Sequence, residues 1–228
     1  MIFPIGDDQV IGGHKPYLSY CIIAINIVLF AQQFLMTYEE LQSYIFTYGC
    51  IPINIMHGKG FETLITSLFI HGGLMHLVGN MIFLWVFADN IEASIGNFKF
   101  LIFYIVGGII ANLTHIFIYP TSEVPCVGAS GSIAAVLGAY LVMFPKSRIE
   151  LTFLFIFSNF RISAFFFIGI WIIQQIISGM AEIGPSSSMT SGVAWWVHIG
   201  GFAFGLLSGI YFKTQVGEIK LSSKKYDD

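Results

Sequence analysis

Residues Pro125 to Pro145 read PCVGASGSIAAVLGAYLVMFP, an apolar run that holds a serine among small residues and has a proline at each end. The pattern predicts a helix that begins near Ser130, just after Gly128 and Ala129, and ends at Phe144. Fifteen residues give a helix of about 22 Å. The hydrocarbon core of a bilayer is about 30 Å thick, so we expect Ser130 to lie below the membrane surface, surrounded by protein.

The composition indicates that this helix lies in a membrane. The chain of 228 residues is 56% hydrophobic and 10% charged, and its mean hydropathy is +0.79. A soluble domain carries about 25% charged residues, so this chain has too few to cover a surface in water. The net charge of −3 and the lack of a basic stripe argue against nucleic acid as a partner. Three scattered cysteines predict neither a disulfide framework nor a zinc site.

Six apolar segments predict an all-α membrane protein with six transmembrane helices, since about 20 apolar residues cross a bilayer. The predicted spans are Tyr17–Met36, Leu74–Ala88, Phe98–Tyr119, Val127–Phe144, Ile162–Met180 and Ala194–Phe212. An even number of spans places both termini on one side, together with every Lys and Arg except Lys59. The positive-inside rule then predicts that both termini are cytoplasmic.

This arrangement divides the chain into three parts. We predict a short cytoplasmic N-terminal segment (1–16), a six-helix membrane domain (17–213) and a polar cytoplasmic C-terminal tail (214–228). The apolar stretch Leu151–Phe157 is expected to lie at the interface, in the loop before the fifth span. The protein is expected to be integral and multi-pass, in the plasma membrane if its source is prokaryotic. The sequence carries no indication of oligomeric state.

Four polar residues are predicted to lie at one depth in the second, fourth and sixth spans. The stretch from His198 to Phe212 also has fifteen residues, and His76 lies about 20 Å from the end of its span, so both match the depth of Ser130. Asn80 follows His76 by one turn and faces the same way. Each residue alone has a structural interpretation, as helix packing or an interhelical hydrogen bond. Their agreement in depth favours a functional site.

These residue types suit acyl transfer. A serine hydroxyl is a weak nucleophile, so Ser130 is predicted to be activated by His198 as general base. The backbone N–H of Ser130, the Asn80 amide and the His76 ring could stabilise an oxyanion. Because the acidic residues near the spans fall in predicted loops or at the membrane edges, we expect a Ser–His dyad rather than a triad.

Metal chemistry is not expected. The HExxH motif is absent, and His71 and His76 are five residues apart, which would point them about 140° apart on a helix. We therefore predict neither a metal nor another cofactor.

Small residues are predicted to bring the sixth span against the fourth. Gly201 and Gly205 are four residues apart, and Gly209 continues the series. Such a face permits close helix contact. Gly128 and Gly131 flank Ser130 on the facing span, so the same packing would bring His198 to the serine.

Three motifs in this order resemble the rhomboid intramembrane proteases: HGGLMHLVGN (71–80), GASG (128–131) and HIGGFAFG (198–205). The resemblance covers about Leu64 to Tyr211. It implies a six-helix rhomboid-like bundle and a serine endopeptidase that cuts peptide bonds in or near transmembrane segments of membrane-protein substrates. It also implies Ser130 as nucleophile and His198 as general base. The implied oxyanion hole comprises His76, Asn80 and the Ser130 amide.

The resemblance further implies that the fifth span is a lateral gate and that Glu182–Gly192 is a cap loop. Glu92 matches a glutamate that often follows the second span in this family. Two departures stand out. Glu62-Thr63 replaces a common Trp-Arg pair, which affects the first loop's membrane contacts, and Ala134 replaces an often aromatic residue, which predicts lost stacking against His198.

Two other functions remain open. A non-proteolytic member of this fold could bind or escort transmembrane clients, although inactive relatives lack the serine or the histidine that this chain keeps. A transporter could use the polar layer as a translocation site. Against it, the layer is shallow rather than at the midplane, and no inverted repeat is evident.

Overall fold

The computed structural model describes residues 2–11, 13–153, 159–183, 193–217 and 220–223. Its helices, in chain order, are α1 (Tyr17–Phe34), α2 (Tyr38–Tyr48), α3 (Pro52–Met56), α4 (Thr63–Thr66), α5 (Leu74–Ile95), α6 (Asn97–Ile118), α7 (Ser130–Met143), α8 (Ala164–Ala181) and α9 (Trp195–Val216). Its strands are β1 (Ile2–Gly6), β2 (Asp8–Val10), β3 (Arg148–Phe153), β4 (Asn159–Ser163) and β5 (Leu221–Ser223).

The prediction of a mainly helical membrane bundle is confirmed. Among the described residues, five helices are long and apolar enough to cross a membrane: α1, α5, α6, α8 and α9. The remaining predicted span is α7, which has 14 residues and a length of about 21 Å. It begins at Ser130, as the sequence predicts, and is too short to cross a bilayer by itself.

The second span is longer than predicted, because its last turns are buried in protein rather than ending at the membrane edge. α5 continues past Ala88 to Ile95, and Glu92, on these last turns, is fully buried. The Glu92 carboxylate accepts hydrogen bonds from the backbone N–H groups of Leu18 at 2.8 Å and Ser19 at 2.7 Å. A negative charge at a helix N-terminus is favourable, so Glu92 caps α1 from a neighbouring helix.

Two small antiparallel sheets, which the sequence reading did not predict, lie outside the helices. One has the strand order β1-β3-β4 and the other pairs β2 with β5. The stretch Leu151–Phe157, predicted to be an interfacial loop, contributes residues 151–153 to β3, while 154–158 lie outside the described residues. The pairing of β2 with β5 brings residues 8–10 beside residues 221–223.

The short helix α7 forms the centre of the bundle. It packs most extensively against α9 and also contacts α5, α6 and α8. Every residue from Gly131 to Tyr140 is buried. A helix that is buried on all sides has no lipid-facing surface, so neighbouring protein rather than lipid determines the position of Ser130 at its start.

Backbones meet directly where α7 crosses α9. A Cβ added to Gly201 would lie 2.2 Å from the carbonyl oxygen of Gly131, and one added to Gly205 would lie 2.0 Å from that of Ala135. On the facing helix, a Cβ on Gly138 would lie 2.3 Å from the Phe202 carbonyl oxygen. No side chain fits at these positions, which is the small-residue packing that membrane helices use in place of a hydrophobic driving force.

We expect Gly205→Ala to destabilise the protein by about 1–3 kcal/mol, because the added methyl group must push two helix backbones apart. Gly169→Ala is the matched control, since no atom of the described residues lies within 4 Å of a Cβ added to this glycine of α8. Unfolding of the purified protein in mixed micelles with a rising fraction of SDS would rank the variants. Equal stability of the two variants would contradict direct backbone contact at Gly205.

Asp7, between β1 and β2, ties the N-terminal strands to the bundle. Its buried carboxyl accepts hydrogen bonds from the Gln9 amide at 2.7 Å, from the Asn90 amide of α5 at 2.7 Å and from the Tyr140 hydroxyl of α7. Burial, together with the nearby Asp89 carboxyl, raises the pKa of Asp7 to about 8 although these bonds favour the anion. The carboxyl is therefore largely protonated at neutral pH in the folded protein.

This raised pKa predicts a loss of stability as the pH increases. The folded state holds the Asp7 proton more tightly than the unfolded chain, in which an aspartate has a pKa of about 3.9. The stabilisation is complete below about pH 4 and is lost as the pH rises towards 8. We expect the thermal unfolding midpoint in detergent to fall more steeply over this range in the wild type than in Asp7→Asn.

The adjacent variant Asp8→Asn is the control for this experiment, because it removes a carboxyl nearby and leaves Asp7 in place. It should keep the steep pH dependence of the wild type. Parallel profiles for the wild type and Asp7→Asn would show that Asp7 does not cause the dependence.

Candidate active site

The turn before α7 positions Ser130. Gly128 has a φ of +124°, a backbone conformation that side chains rarely adopt, and its N–H donates to the Ser67 carbonyl oxygen at 2.9 Å. Ser130 follows as the first residue of α7. Its own N–H lies in the first helical turn and so has no acceptor within the helix.

His198 meets this serine from the facing helix. It lies one turn after the start of α9, and its Nε2 is 2.9 Å from the Ser130 Oγ. Both side chains are half-buried. This distance lies within the normal range for a hydrogen bond between a nucleophile and its base. The structure therefore brings together the two residues that the sequence analysis selected.

The other nitrogen of the His198 ring also has a partner, which the sequence analysis missed. His198 Nδ1 lies 2.8 Å from the Oε1 atom of Gln175, a buried residue of α8. This partner is a neutral amide, whereas the orienting partner considered from the sequence was an acidic side chain. The available signal was the pair Gln174-Gln175 in the middle of an apolar span, where polar residues are costly.

Two tryptophans flank the His198 ring. Its centroid lies 5.9 Å from the ring of Trp171 on α8 and 6.3 Å from that of Trp195 at the start of α9. Ala134, where an aromatic ring was expected from the family pattern, is fully buried within α7. The ring contacts of His198 therefore come from Trp171 on α8 and Trp195 on α9, and not from the position of Ala134 on α7.

His76 and Asn80 border the same turn from α5. A Cβ added to Gly128 would lie 2.7 Å from His76 Nε2 and 3.5 Å from Asn80 Nδ2, so both side chains lie against the residue two before the serine. Asn80 is 8% exposed, and its Nδ2 donor has no hydrogen-bond partner among the residues that the structure describes. A buried donor without a partner costs free energy, which suits a group whose acceptor arrives with a ligand.

The prediction that His71 and His76 point about 140° apart requires both to lie on one helix, and they do not. His71 precedes the first residue of α5, and its ring is 5.2 Å from the His76 ring, centroid to centroid. Within the described part of the chain, no three His, Cys, Asp or Glu side chains are close enough to hold a metal ion.

The segments implied to control access are described in part. The implied gate is α8, and only 22% of its apolar stretch is buried in the protein, against 56% for α5. Most of the implied cap loop, residues 184–192, lies outside the described residues. In the first loop, Thr63 begins α4 and donates to the Gly60 carbonyl oxygen at 2.6 Å, while the preceding Glu62 is exposed.

The fold and the site together define a polytopic integral membrane protein with a Ser–His pair at the start of a short central helix. The family model described as Rhomboid domain matches residues 59–215. The chain therefore belongs to the rhomboid family.

The chain is also similar to several curated proteins named as rhomboid or rhomboid-like. The chain is 28% identical over 134 residues to rhomboid protease GluP of Bacillus subtilis, which covers 59% of this chain and 26% of that protein. It is 31% identical over 142 residues to the mitochondrial presenilin-associated rhomboid-like protein A of Danio rerio, and this match covers 58% of this chain and 34% of that protein. It is 26% identical over 215 residues to mitochondrial rhomboid protein 1 of Saccharomyces cerevisiae, and this match covers 89% of this chain and 55% of that protein. The matched regions thus span about a quarter to about half of these relatives.

Proposed function

We propose that this protein is an intramembrane serine endopeptidase that hydrolyses peptide bonds in or near transmembrane segments of other membrane proteins. The observation that carries the proposal is the 2.9 Å distance from His198 Nε2 to Ser130 Oγ, since this geometry lets a weak nucleophile lose its proton as it attacks. Membership of a family that includes a rhomboid protease supports it.

The reaction follows from the positions of these two residues. Ser130 Oγ attacks the scissile carbonyl carbon while its proton moves to His198 Nε2, and the carbonyl oxygen takes up the electron pair. The tetrahedral intermediate collapses, the C–N bond breaks, and the His198 proton passes to the leaving nitrogen. Water, deprotonated by His198, then releases the acyl group from Ser130 and restores the free enzyme.

Three groups near Ser130 are available to donate to an oxyanion. The Ser130 N–H lacks an acceptor within its helix, the buried Asn80 Nδ2 has no partner among the described residues, and the His76 ring lies beside Gly128. Fixed donors of this kind stabilise charge that develops in the transition state. We therefore assign these three groups as the oxyanion hole.

Substrates are proposed to enter between helices, from the lipid. The helix nearest this route is α8, which is weakly buried and contacts His198 through Trp171 and Gln175. A transmembrane substrate helix has its carbonyl groups bonded internally, so it must unwind before Ser130 can attack. We further propose that both termini are cytoplasmic, on the basis of the Lys and Arg distribution.

Ser130→Ala should abolish cleavage of a tagged single-span substrate in proteoliposomes, lowering the rate by at least about 10³-fold because no nucleophile remains. Ser132→Ala is the matched control. Ser132 lies on the same helix and is buried, with its hydroxyl facing Gly108 of α6 rather than His198. Equal product from wild type and Ser130→Ala would reject Ser130 as the nucleophile. A folded wild type that cuts none of several substrates would favour the client-binding function.

Asn80→Asp and Asn80→Ala should each lower kcat by about 10²- to 10³-fold and leave KM nearly unchanged, because they remove a donor that acts on the transition state. Asn26→Ala is the control, since the Asn26 amide donates to the Ile22 carbonyl oxygen of its own helix at 2.8 Å. A rise in KM with an unchanged kcat would assign Asn80 to substrate binding instead.

A further inference from the structure

The hydrogen bond between His198 and Gln175 has no part in the reaction described so far. We propose that Gln175 is a positioning residue that fixes the tautomer and the orientation of the His198 ring, so that Nε2 accepts the Ser130 proton. This inference rests on the proposed proteolytic function. It adds a third member, a neutral amide from α8, to a pair that was expected to act alone.

The direction of the hydrogen bonds follows from the second contact of the glutamine amide. Gln175 Nε2 donates to the Trp171 carbonyl oxygen, four residues earlier on α8, at 3.2 Å. A carbonyl oxygen can only accept, so this bond assigns the nitrogen of the amide to the Trp171 side. The oxygen of the amide then faces His198, at 2.8 Å from Nδ1.

This assignment determines where the ring carries its proton. An amide oxygen only accepts, so Nδ1 of a neutral His198 must hold the proton and donate it to Gln175. The other nitrogen, Nε2, is then unprotonated and can accept from the Ser130 hydroxyl at 2.9 Å. The opposite tautomer would set two acceptors, Nδ1 and Oε1, against each other and leave Nε2 unable to act as a base.

Gln175 is the neighbour that can select the tautomer of His198. The His198 ring also contacts the rings of Trp171 and Trp195, which restrict its tilt but do not select a tautomer. Gln175 is 4% exposed, so water does not compete freely for its oxygen. A buried polar residue in an apolar span is costly unless it is bonded or used, and both amide atoms of Gln175 are bonded.

Gln175→Met tests the role, because it keeps the length of the side chain and removes the acceptor. We expect kcat to fall about 10- to 100-fold with KM nearly unchanged, since a wrongly protonated base affects the chemical step. Labelling of Ser130 by a fluorophosphonate, which needs the base but no transmembrane substrate, should slow to the same extent. Gln175→Glu keeps an acceptor and should remain within about 3-fold of wild type.

Gln174→Met is the matched control, as it makes the same change at the adjacent, exposed position of α8. It should leave kcat and the labelling rate unchanged. If Gln175→Met does not fold, Gln175→Asn serves in its place, because it keeps an amide but is one methylene too short to reach Nδ1. Activity of Gln175→Met or Gln175→Asn equal to that of Gln174→Met would overturn the proposal.

Nitrogen-15 spectra of labelled histidine provide a readout that does not depend on cleavage. The His198 signals, assigned by difference from His198→Ala, should show protonation at Nδ1 in wild type and a mixture of tautomers in Gln175→Met. This measurement also separates the two proposals. If wild type neither cleaves substrate nor reacts at Ser130, the proteolytic function fails. The spectra then decide the role of Gln175 alone, and a tautomer unaffected by the substitution would reject it.

Discussion

Direct contact between the backbones of α7 and α9 is the constraint on which the site depends. Gly131 follows Ser130 by one residue, and Gly201 follows His198 by three, so one of the close approaches of the two helices lies beside these two side chains. A Cβ on Gly201 would lie 2.2 Å from the Gly131 carbonyl oxygen. Any larger residue at Gly201 would push the two backbones apart at this point and lengthen the contact between His198 and Ser130. The Ser130–His198 contact and the packing of α7 on α9 therefore depend on the same small residues.

The helical framework and the Ser–His region could be predicted from the sequence, because both follow from one-dimensional measures. Span length and residue depth scale directly with residue number in a helix, so the short α7 and the shared level of Ser130, His198, His76 and Asn80 needed no tertiary information. The strands could not be predicted in this way. They are short, they include Pro4, and their partners lie far along the chain.

Gln175 shows why part of the site was out of reach. Its role depends on which way α8 is turned about its axis, and in a helix that is apolar nearly all round no hydrophobic stripe fixes that rotation. Gln174 and Gln175 are indistinguishable in sequence, yet one is exposed and the other lies against His198. Because Gln175 and Trp171 belong to the same weakly buried helix, any outward displacement of α8 withdraws both from the His198 ring. Under the proposed function, access to the site and orientation of its base are thus linked through α8.

The pairing of β2 with β5 has a consequence for biosynthesis. Asp8–Val10 is synthesised before every helix of the bundle, and its partner Leu221–Ser223 is synthesised after α9. Strand β2 therefore cannot form its sheet until all the intervening helices and β5 have been synthesised. The buried Asp7 lies beside this strand, and its contacts with α5 and α7 hold the early segment in place. The segment around β2 can thus dock on the bundle first and complete its sheet only after α9 and β5 have been synthesised.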